Sequence, residues 1–270
     1  MTKILKAVSG LNDLEEMADR KTIVHDLHPL FKIIVTFVFL ITVISFDRYQ
    51  ISGLLPFIMY PVVMMTLSMT PFKPLFYRLL PALPFSLFGG ISNIIFDQIP
   101  VITIGFLTVT SGMISFVSIL IKVVLTVSAV LILVATTPIT VISKQLAQLG
   151  IPSLLVLQLV MTYRYISVLI EEAVTMMTAY AVRAPRHKFI QIKDMGSFVG
   201  HLLLRSIDRA ERVYAAMKAR GFSGMYATAP IPKAGLKDIL FVVGMCSFFL
   251  ICRFVNVSLV LGDFFTKIFV

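Results

Sequence analysis

Five long apolar runs restrict what this chain can fold into. They cover residues 30–46, 51–69, about 79–96, 113–135 and 236–262. A helix needs about 20 consecutive apolar residues to cross a bilayer, and these runs come close to that length or exceed it. With 58% hydrophobic and 14% charged residues, the 270-residue chain is too apolar for a soluble domain. We therefore predict an all-α, polytopic membrane protein with about five transmembrane helices.

The basic residues predict how these spans are oriented. If the N-terminus is cytoplasmic, twenty of the 24 lysines and arginines lie on the cytoplasmic side, and only Arg48 and Lys267 lie outside. The predicted parts are a cytoplasmic N-terminal segment (1–29), a transmembrane core of about four helices (30–135), a cytoplasmic helical insert (136–235) and a final span (236–262). The polar first segment is not expected to be a signal peptide. The formal net charge of +10 is explained by the cytoplasmic loops, so no nucleic-acid partner is predicted.

Prolines and glycines make the third span the least regular. Pro81, Pro84 and the pair Gly89–Gly90 interrupt it, so we expect a tilted or broken element over residues 79–96. Residues 97–112 contain two glycines and a proline, and they are predicted to be an outer loop that dips into the membrane interface.

Two basic residues, Lys122 and Arg253, fall inside predicted spans. A charged side chain inside a membrane is costly, so the default interpretation is a functional one. A lysine can also pack between helices or extend along apolar neighbours toward the interface. The sequence leaves both alternatives open for Lys122.

The insert is predicted to contain three helices. The first, residues 139–149, ends at Gly150-Ile151-Pro152, where glycine terminates a helix and proline prevents its continuation. The second runs over residues 153–183, roughly 45 Å and longer than a bilayer core requires. Its first half is apolar and its second half is charged. We therefore expect it to lie along the membrane surface or to leave the membrane.

The third insert helix, residues 194–221, is the centre of the chain's organisation. Asp194 is its predicted N-cap and Gly221 its predicted stop. Apolar residues recur every three or four positions, at Val199, Leu203, Ile207, Ala210, Tyr214 and Met217. This stripe is expected to pack on another surface, while Arg220 lies in the last turn and can pair with groups on a partner.

No catalytic, metal or cofactor site is predicted. His25 and His28 are three residues apart, but without a third or fourth ligand they make a poor metal site. The pattern Gly-x-x-x-x-Gly-Lys-Ser/Thr is absent from the sequence, so ATP would have to be bound by other subunits. Cys246 and Cys252 lie in one apolar run and are expected to be packing residues. We therefore predict that the chain is not an enzyme.

The insert contains a faint internal duplication. Arg183 and Arg220 both stand among small or apolar residues at the end of an amphipathic helix, and each follows an acidic residue by twelve positions. Two arginines of this kind would suit a partner with twofold symmetry. Arginine near a helix C-terminus is also ordinary capping, so the pattern by itself leaves both interpretations open.

The segment from Arg209 to Gly224, RAERVYAAMKARGFSG, resembles the signature of the T component of energy-coupling factor (ECF) importers. Within that family the chain is most similar to the CbiQ-type subunit of cobalt and nickel importers. The resemblance extends to Gly150-Ile151-Pro152, to Tyr163-Arg164-Tyr165 and to the DLHPLFK segment that begins at Asp26. It covers most of the chain, and residues 136–224 carry its specificity.

The resemblance implies a transmembrane coupling subunit in the plasma membrane of a prokaryote. Arg183 with Ala184, and Arg220 with Ala219 and Gly221, would lie at the tips of coupling helices that dock into two cytosolic ATPase subunits. Leu203, Ile207, Ala210, Tyr214 and Met217 would pack the coupling helices on one another and on a substrate-binding membrane subunit. The first tip departs from the family's Ala-Arg-Gly pattern, so Arg186 competes with Arg183 for that role.

Two alternatives remain at this point. One is a T component that serves vitamin-binding subunits in place of a metal-binding one. The other is an integral-membrane enzyme whose basic insert binds a phosphorylated or lipid substrate. The second predicts paired acidic residues beside the basic run, and the sequence lacks them.

Overall fold

The computed structural model describes residues 17–18, 20, 22–104, 107–184, 190–224 and 234–255. Helix α1 is Pro29–Ile44, a 3₁₀ helix Ser52–Ile58 leads into α2 (Met59–Leu67), and α3 (Phe72–Leu79) precedes α4 (Ala82–Phe96). Strands β1 (Pro100–Ile104) and β2 (Leu107–Thr110) lead to α5 (Ser111–Thr136). Then come α6 (Ile139–Gln148), α7 (Ser153–Arg183), α8 (Ile192–Ala219) and α9 (Leu236–Phe254).

The chain divides into two compact units. The first comprises residues 17–137 and 232–270 and is called the membrane unit here. The second comprises residues 1–16 and 138–231 and is called the insert unit. Helices α1 to α5 and α9 belong to the membrane unit, and α6, α7 and α8 belong to the insert unit. The N-terminal segment 1–16 lies outside the described residues.

The fold class of an all-α polytopic membrane protein is confirmed. Each of the five apolar runs is helical over most of its described residues. Among the residues that the structure describes, two helices, α5 and α7, are long and apolar enough to cross a membrane, and the pair α3–α4, bent by 47°, would make a third span. Helix α1 and the segment 52–67 are apolar but shorter. Since α7 meets the criterion by length and composition alone, its expected place on or outside the membrane stays a prediction.

The third span is broken at Pro81, as predicted, but the predicted interruptions at Pro84 and Gly89–Gly90 are wrong, because α4 continues through them. The helical part of the span also begins earlier than predicted. Helix α3 starts at Phe72, seven residues before the predicted start of this span. Pro74 and Pro84 each occupy the third position of a helix, α3 and α4 respectively. The backbone N–H groups of a first turn have no intrahelical partner, so proline is tolerated there.

The predicted loop at residues 97–112 is wrong in one respect, because it contains a β-hairpin. Strands β1 and β2 pair in antiparallel fashion, with Ile104 opposite Leu107 and Pro100 opposite Thr110. The segment 101–110 is rich in β-branched residues, which favour extended backbone. The two glycines and the proline of residues 97–112 favour turns, and the prediction gave this signal more weight than the strand preference of the β-branched residues.

Asp97 ties this segment to a second loop. Its carboxylate accepts hydrogen bonds from the Tyr49 hydroxyl (2.6 Å) and the Ser111 hydroxyl (2.8 Å). These two donors favour the charged form and hold the pKa of Asp97 below its usual range. The end of α4 and the start of α5 are thereby joined to the loop after α1.

The core of the membrane unit is a cluster of aromatic rings. Phe39 of α1 lies 4.5 Å from Tyr60 and 5.2 Å from Phe249 between ring centroids, and Tyr60 lies 5.3 Å from Phe249. Phe57 completes the cluster, and all four side chains are buried. Phe39 belongs to the series Val35, Phe39 and Val43, which recurs every four residues and turns one face of α1 inward.

We expect Phe249→Ala to destabilise the membrane unit by about 3–5 kcal/mol, because it leaves a cavity among rings that cannot fully collapse. Thermal unfolding of the purified protein in detergent measures the loss. Leu250→Ala is the matched control, since Leu250 is adjacent and 50% exposed. Equal losses in the two variants would contradict the role of the cluster.

The two basic residues of the predicted spans converge on the end of α1. The Lys122 ammonium donates to the Phe46 carbonyl (2.6 Å), and the Arg253 guanidinium donates to the Ser45 hydroxyl (2.8 Å) and carbonyl (3.0 Å). Arg253 also lies 4.5 Å above the Phe46 ring. Basic side chains near a helix C-terminus can donate hydrogen bonds to its free carbonyls, and their positive charge interacts favourably with the negative end of the helix dipole. Of the two alternatives for Lys122, the contact between helices is the one that the structure contains.

Candidate functional site

Helices α7 and α8 form an antiparallel pair in the insert unit. At one end the Tyr180 hydroxyl donates to Asp194 in the first turn of α8 (2.7 Å). In the middle, the Glu172 carboxylate is paired with Arg205. At the other end, residues near the start of α7 and the end of α8, among them Leu157 and Met217, line one groove. The start of each helix therefore lies beside the end of the other.

Helix α8 begins at Ile192, with Gln191 as its N-cap residue, so the predicted N-cap role of Asp194 is wrong. Asp194 lies in the first turn and accepts the hydrogen bond from Tyr180. A carboxylate there also favours the positive end of the helix dipole. The sequence pattern does not reveal this hydrogen bond, because its donor, Tyr180, belongs to α7.

The end of α8 has the geometry that its glycine suggested. Gly221 has φ +82°, in the left-handed region that favours glycine. Its N–H donates to the Lys218 carbonyl (3.0 Å), and the Phe222 N–H donates to the Met217 carbonyl (3.0 Å). These two bonds define a Schellman motif, which ends the helix and fixes the direction of the residues beside it. Gly150, with φ +92°, ends α6 with the same pair of bonds.

Arg220 is the C-cap residue of α8, and Ala219 is the last helical residue. Arg183 is the last residue of α7, followed by Ala184 as C-cap, whose N–H donates to the Tyr180 carbonyl (2.9 Å). Both arginines are exposed. The two ends differ in geometry, because Ala184 has φ −126° and Gly221 is left-handed. The competing residue Arg186 lies outside the described residues.

The antiparallel arrangement places the two arginines at opposite ends of the helix pair. Arg183 is next to the start of α8, and Arg220 is at its end. Helix α8 has 28 residues and is therefore about 42 Å long. The two side chains are thus far too distant to bind one small ligand, but they could each contact a separate partner.

The apolar stripe of α8 divides into two parts. Ala210, Tyr214 and Met217 line a groove of about 420 Å³ that α7 and Phe222 complete. Leu203 and Ile207 lie outside this groove and are 57% and 46% exposed. No side chain of α8 is buried. The packing role proposed for these five residues stays a prediction, and their exposure shows that the described chain leaves much of this face uncovered.

An ion-pair cluster joins the middle of α7 to the middle of α8. Glu172 is paired with Arg205 and lies 3.9 Å from Arg209. These partners are 33 or more positions apart in the chain, so sequence spacing gives no signal of their pairing. Only a known antiparallel arrangement of α7 and α8 would have identified them.

We expect Glu172→Gln to change the stability of the insert unit by less than about 1 kcal/mol. Arg205 is 61% exposed, and ion pairs in water are weakened by solvent and salt. Thermal unfolding in detergent at low and high salt measures the effect. A loss of several kcal/mol, insensitive to salt, would contradict this assignment.

The histidines that could have suggested a metal site have other partners. The His25 ring bonds to the Thr22 hydroxyl (2.7 Å) and the Met17 carbonyl (3.0 Å). His28 is the N-cap of α1, and its Nδ1 accepts the Leu30 N–H (3.3 Å). Among the residues that the structure describes, no group of three or more His, Cys, Asp or Glu side chains could hold a metal ion.

These features define a class: a helical membrane protein whose insert carries an antiparallel helix pair with exposed arginines at opposite ends and an exposed apolar face.

Comparison with known proteins identifies the family. Residues 20–230 match CbiQ, described as cobalt transport protein, and the chain belongs to this family. The match agrees with the resemblance carried by residues 136–224 and also includes helices α1 to α5 of the membrane unit. The chain is therefore a membrane protein of a transport family.

Two curated proteins are similar to parts of the chain. The uncharacterized protein MJ1089 of Methanocaldococcus jannaschii is 28% identical over 140 residues, which are 51% of this chain and 52% of that protein. The nickel permease LarQ of Lactiplantibacillus plantarum is 30% identical over 105 residues, 39% of this chain and 38% of LarQ. The chain thus matches about half or less of the length of these relatives.

Proposed function

We propose that the chain is the transmembrane coupling subunit of an ECF-type ABC importer. Arg183 and Arg220 each dock into a groove on one of two cytosolic ATPase subunits, and the apolar face of α8 contacts a substrate-binding membrane subunit. The observation that carries this proposal is the placement of the two exposed arginines at opposite ends of a helix pair about 42 Å long. That spacing suits two partners bound side by side.

The chemistry of the tips supports a protein partner. Neither arginine has an ion-pair partner among the described residues, so both guanidinium groups are available for carboxylates or carbonyls. The fixed left-handed turn at Gly221 limits the directions that Arg220 can take. An arginine that becomes buried and hydrogen-bonded in an interface commonly contributes strongly to its stability.

The exposed apolar face supports the third subunit. Leu203, Ile207 and Tyr214 are about half exposed, on a helix that also carries many charges. A contiguous apolar surface of this kind favours association with another protein. Because the substrate-binding subunit is itself a membrane protein, its contact would cover the apolar side of α8 and leave the charged side in water.

The mechanism follows from the rigidity of the helix pair. ATP binding would close the two ATPases on each other, and tips anchored in both would move with them. Helices joined by the Tyr180–Asp194 and Glu172–Arg205 contacts would transmit that closure as a tilt of the membrane partner. The chain would transmit the work of ATP hydrolysis, and the separate ATPases would perform it.

We infer a divalent cobalt or nickel ion as the transported substrate, in the plasma membrane of a prokaryote with the N-terminus cytoplasmic. Membership of the CbiQ family and the local similarity to the nickel permease LarQ support the metal. The metal would be bound by the substrate-binding subunit. A vitamin carried by a different substrate-binding subunit is the alternative.

Purification of the tagged chain from native membranes tests this proposal. We expect two ATPase subunits and a small membrane subunit to co-purify. Vesicles that contain the complex with its ATPases facing the lumen are expected to accumulate radiolabelled Co²⁺ or Ni²⁺ only when the lumen contains ATP. Accumulation of a vitamin in place of the metal would support the alternative substrate. Absence of any ATPase, or labelling of residues 136–235 from the outer side, would overturn the coupling role.

A further inference from the structure

The polypeptide passes between the two units three times, at residues 16–17, 137–138 and 231–232. The last two passages flank helices α6 to α8 and are called the two crossings here. The chain leaves the membrane unit after Thr137, at the end of α5, and returns at Pro232, shortly before α9. The first described residues of the return are Ala234 and Gly235. Hydrogen bonds at these two crossings therefore bear on how movement of the insert unit reaches the membrane unit.

The outgoing crossing is bonded to the first turn of α1. Lys32 lies in that turn and is 3% exposed. Its ammonium donates to the carbonyl of Thr136, the last residue of α5 (3.0 Å), and to the His25 carbonyl (3.5 Å). A buried lysine is costly unless its donors are satisfied, so this bond is specific and not a consequence of apolar packing.

The returning crossing is bonded to the same end of α1. Asp238 lies in the first turn of α9 and is 8% exposed. One carboxylate oxygen accepts the N–H of His28, the N-cap residue of α1 (2.8 Å), and the other accepts the Gly235 N–H (2.8 Å). Asp238 therefore joins the start of α9, the residue before it and the start of α1.

The two contacts also interact with each other. The charge of Asp238 acts on Lys32, with Asp26 as a second acidic neighbour. A buried lysine and a buried aspartate of opposite charge thus lie at the same end of α1.

We propose that Lys32 and Asp238 are positioning residues that fasten both crossings of the insert to the start of α1, so that movement of the insert is passed to the membrane unit. The proposal rests on the coupling function proposed above. Helix α1 is the common attachment point, so the loss of one of these hydrogen bonds would let one crossing move independently of α1.

The variants Lys32→Met and Asp238→Asn test this in the assembled complex. Methionine has about the length of lysine but no hydrogen-bond donor, and asparagine has one acceptor oxygen where the carboxylate has two. We expect both to retain the ATPases and to hydrolyse ATP, while ATP-driven uptake per ATP hydrolysed falls by about tenfold. Lys32→Arg, which keeps the donor, is expected to recover part of the uptake.

Lys122→Met is the matched control. Lys122 is also a lysine that donates to a backbone carbonyl in the membrane unit, that of Phe46 (2.6 Å), but at the opposite end of α1. We expect it to lower uptake and hydrolysis only in proportion to the amount of folded protein. An equal loss of uptake per ATP in Lys122→Met would overturn the specific role of Lys32.

Hydrogen exchange on the purified variants distinguishes this proposal from the coupling function. We expect faster exchange at His28 and Gly235 in Asp238→Asn, and around Thr137 in Lys32→Met, with no change around Phe39. If the wild-type chain binds no ATPase, the coupling function fails, and the exchange result alone decides whether the crossings are fastened. Unchanged uptake, or faster exchange throughout α1 and α5, would overturn the proposal.

Discussion

Arg220→Glu is expected to abolish association with the ATPases and ATP-driven uptake, while the protein remains inserted and folded. The arginine is exposed at the end of α8, so its replacement removes no internal contact of the described chain. Truncation of a charged partner in a buried interface costs about 2–5 kcal/mol, and charge reversal adds repulsion. Affinity should therefore fall about 30-fold or more. Co-purification of the ATPases with the tagged variant measures the loss.

Arg212→Glu is the control for the change in net charge. Arg212 is exposed on the same helix, two turns before its end, and the substitution has the same charge difference. We expect this variant to retain the ATPases. If Arg220→Glu co-purified them at the wild-type level, or if Arg212→Glu lost them equally, Arg220 would have no specific docking role.

Gly221→Val is expected to weaken coupling by about tenfold and to reduce folded protein much less. Valine at φ +82° is strained by about 1–2 kcal/mol or more, so the turn after Arg220 must change. A changed turn loses the two Schellman bonds and redirects the arginine. Gly221→Asn should remain close to the wild type, because asparagine tolerates the left-handed conformation. Uptake and membrane yield, measured together, separate the two effects.

Gly224→Val is the control for the backbone strain that valine introduces at Gly221. Gly224 has φ +91°, and, as at Gly221, no atom lies within 4 Å of where a Cβ would be. It follows Arg220 by four residues and makes no helix-ending bond among those described. We expect a similar cost in stability without the loss of coupling. If the two valine variants lost uptake equally, the conformation of Gly221 would be a requirement of folding alone.

The sequence predicted the local features of the tips well. The stops of α8 and α6 were anticipated from Gly221 and Gly150, and α7 ends at Arg183, the predicted last residue. A left-handed glycine or a proline acts within one or two residues of itself, so its effect can be read without the rest of the fold. The start of α8 was placed too late, because Asp194 is a common N-cap residue but lies here in the first turn, where it accepts from Tyr180.

The roles of the charged residues inside the predicted spans could not be deduced in this way. Lys122 and Arg253 were ambiguous in the sequence, yet both bond to the end of α1. Lys32 and Asp238 are separated by about 200 positions, and both make hydrogen bonds at its start. Hydrogen bonds between distant segments depend on which helix ends are neighbours, and the sequence pattern does not contain that information.

The sequence by itself determined the helical membrane class, the family resemblance and the two arginine-tipped helices, because hydropathy, helix periodicity and helix stops are local properties of the chain. The tertiary structure alone decided that α7 and α8 are antiparallel, that Arg183 and Arg220 lie at opposite ends of the pair, and that both crossings of the insert bond to α1. The physical reason is that these outcomes depend on packing and hydrogen bonds between residues tens to hundreds of positions apart, and such contacts exist only once the helices have assembled.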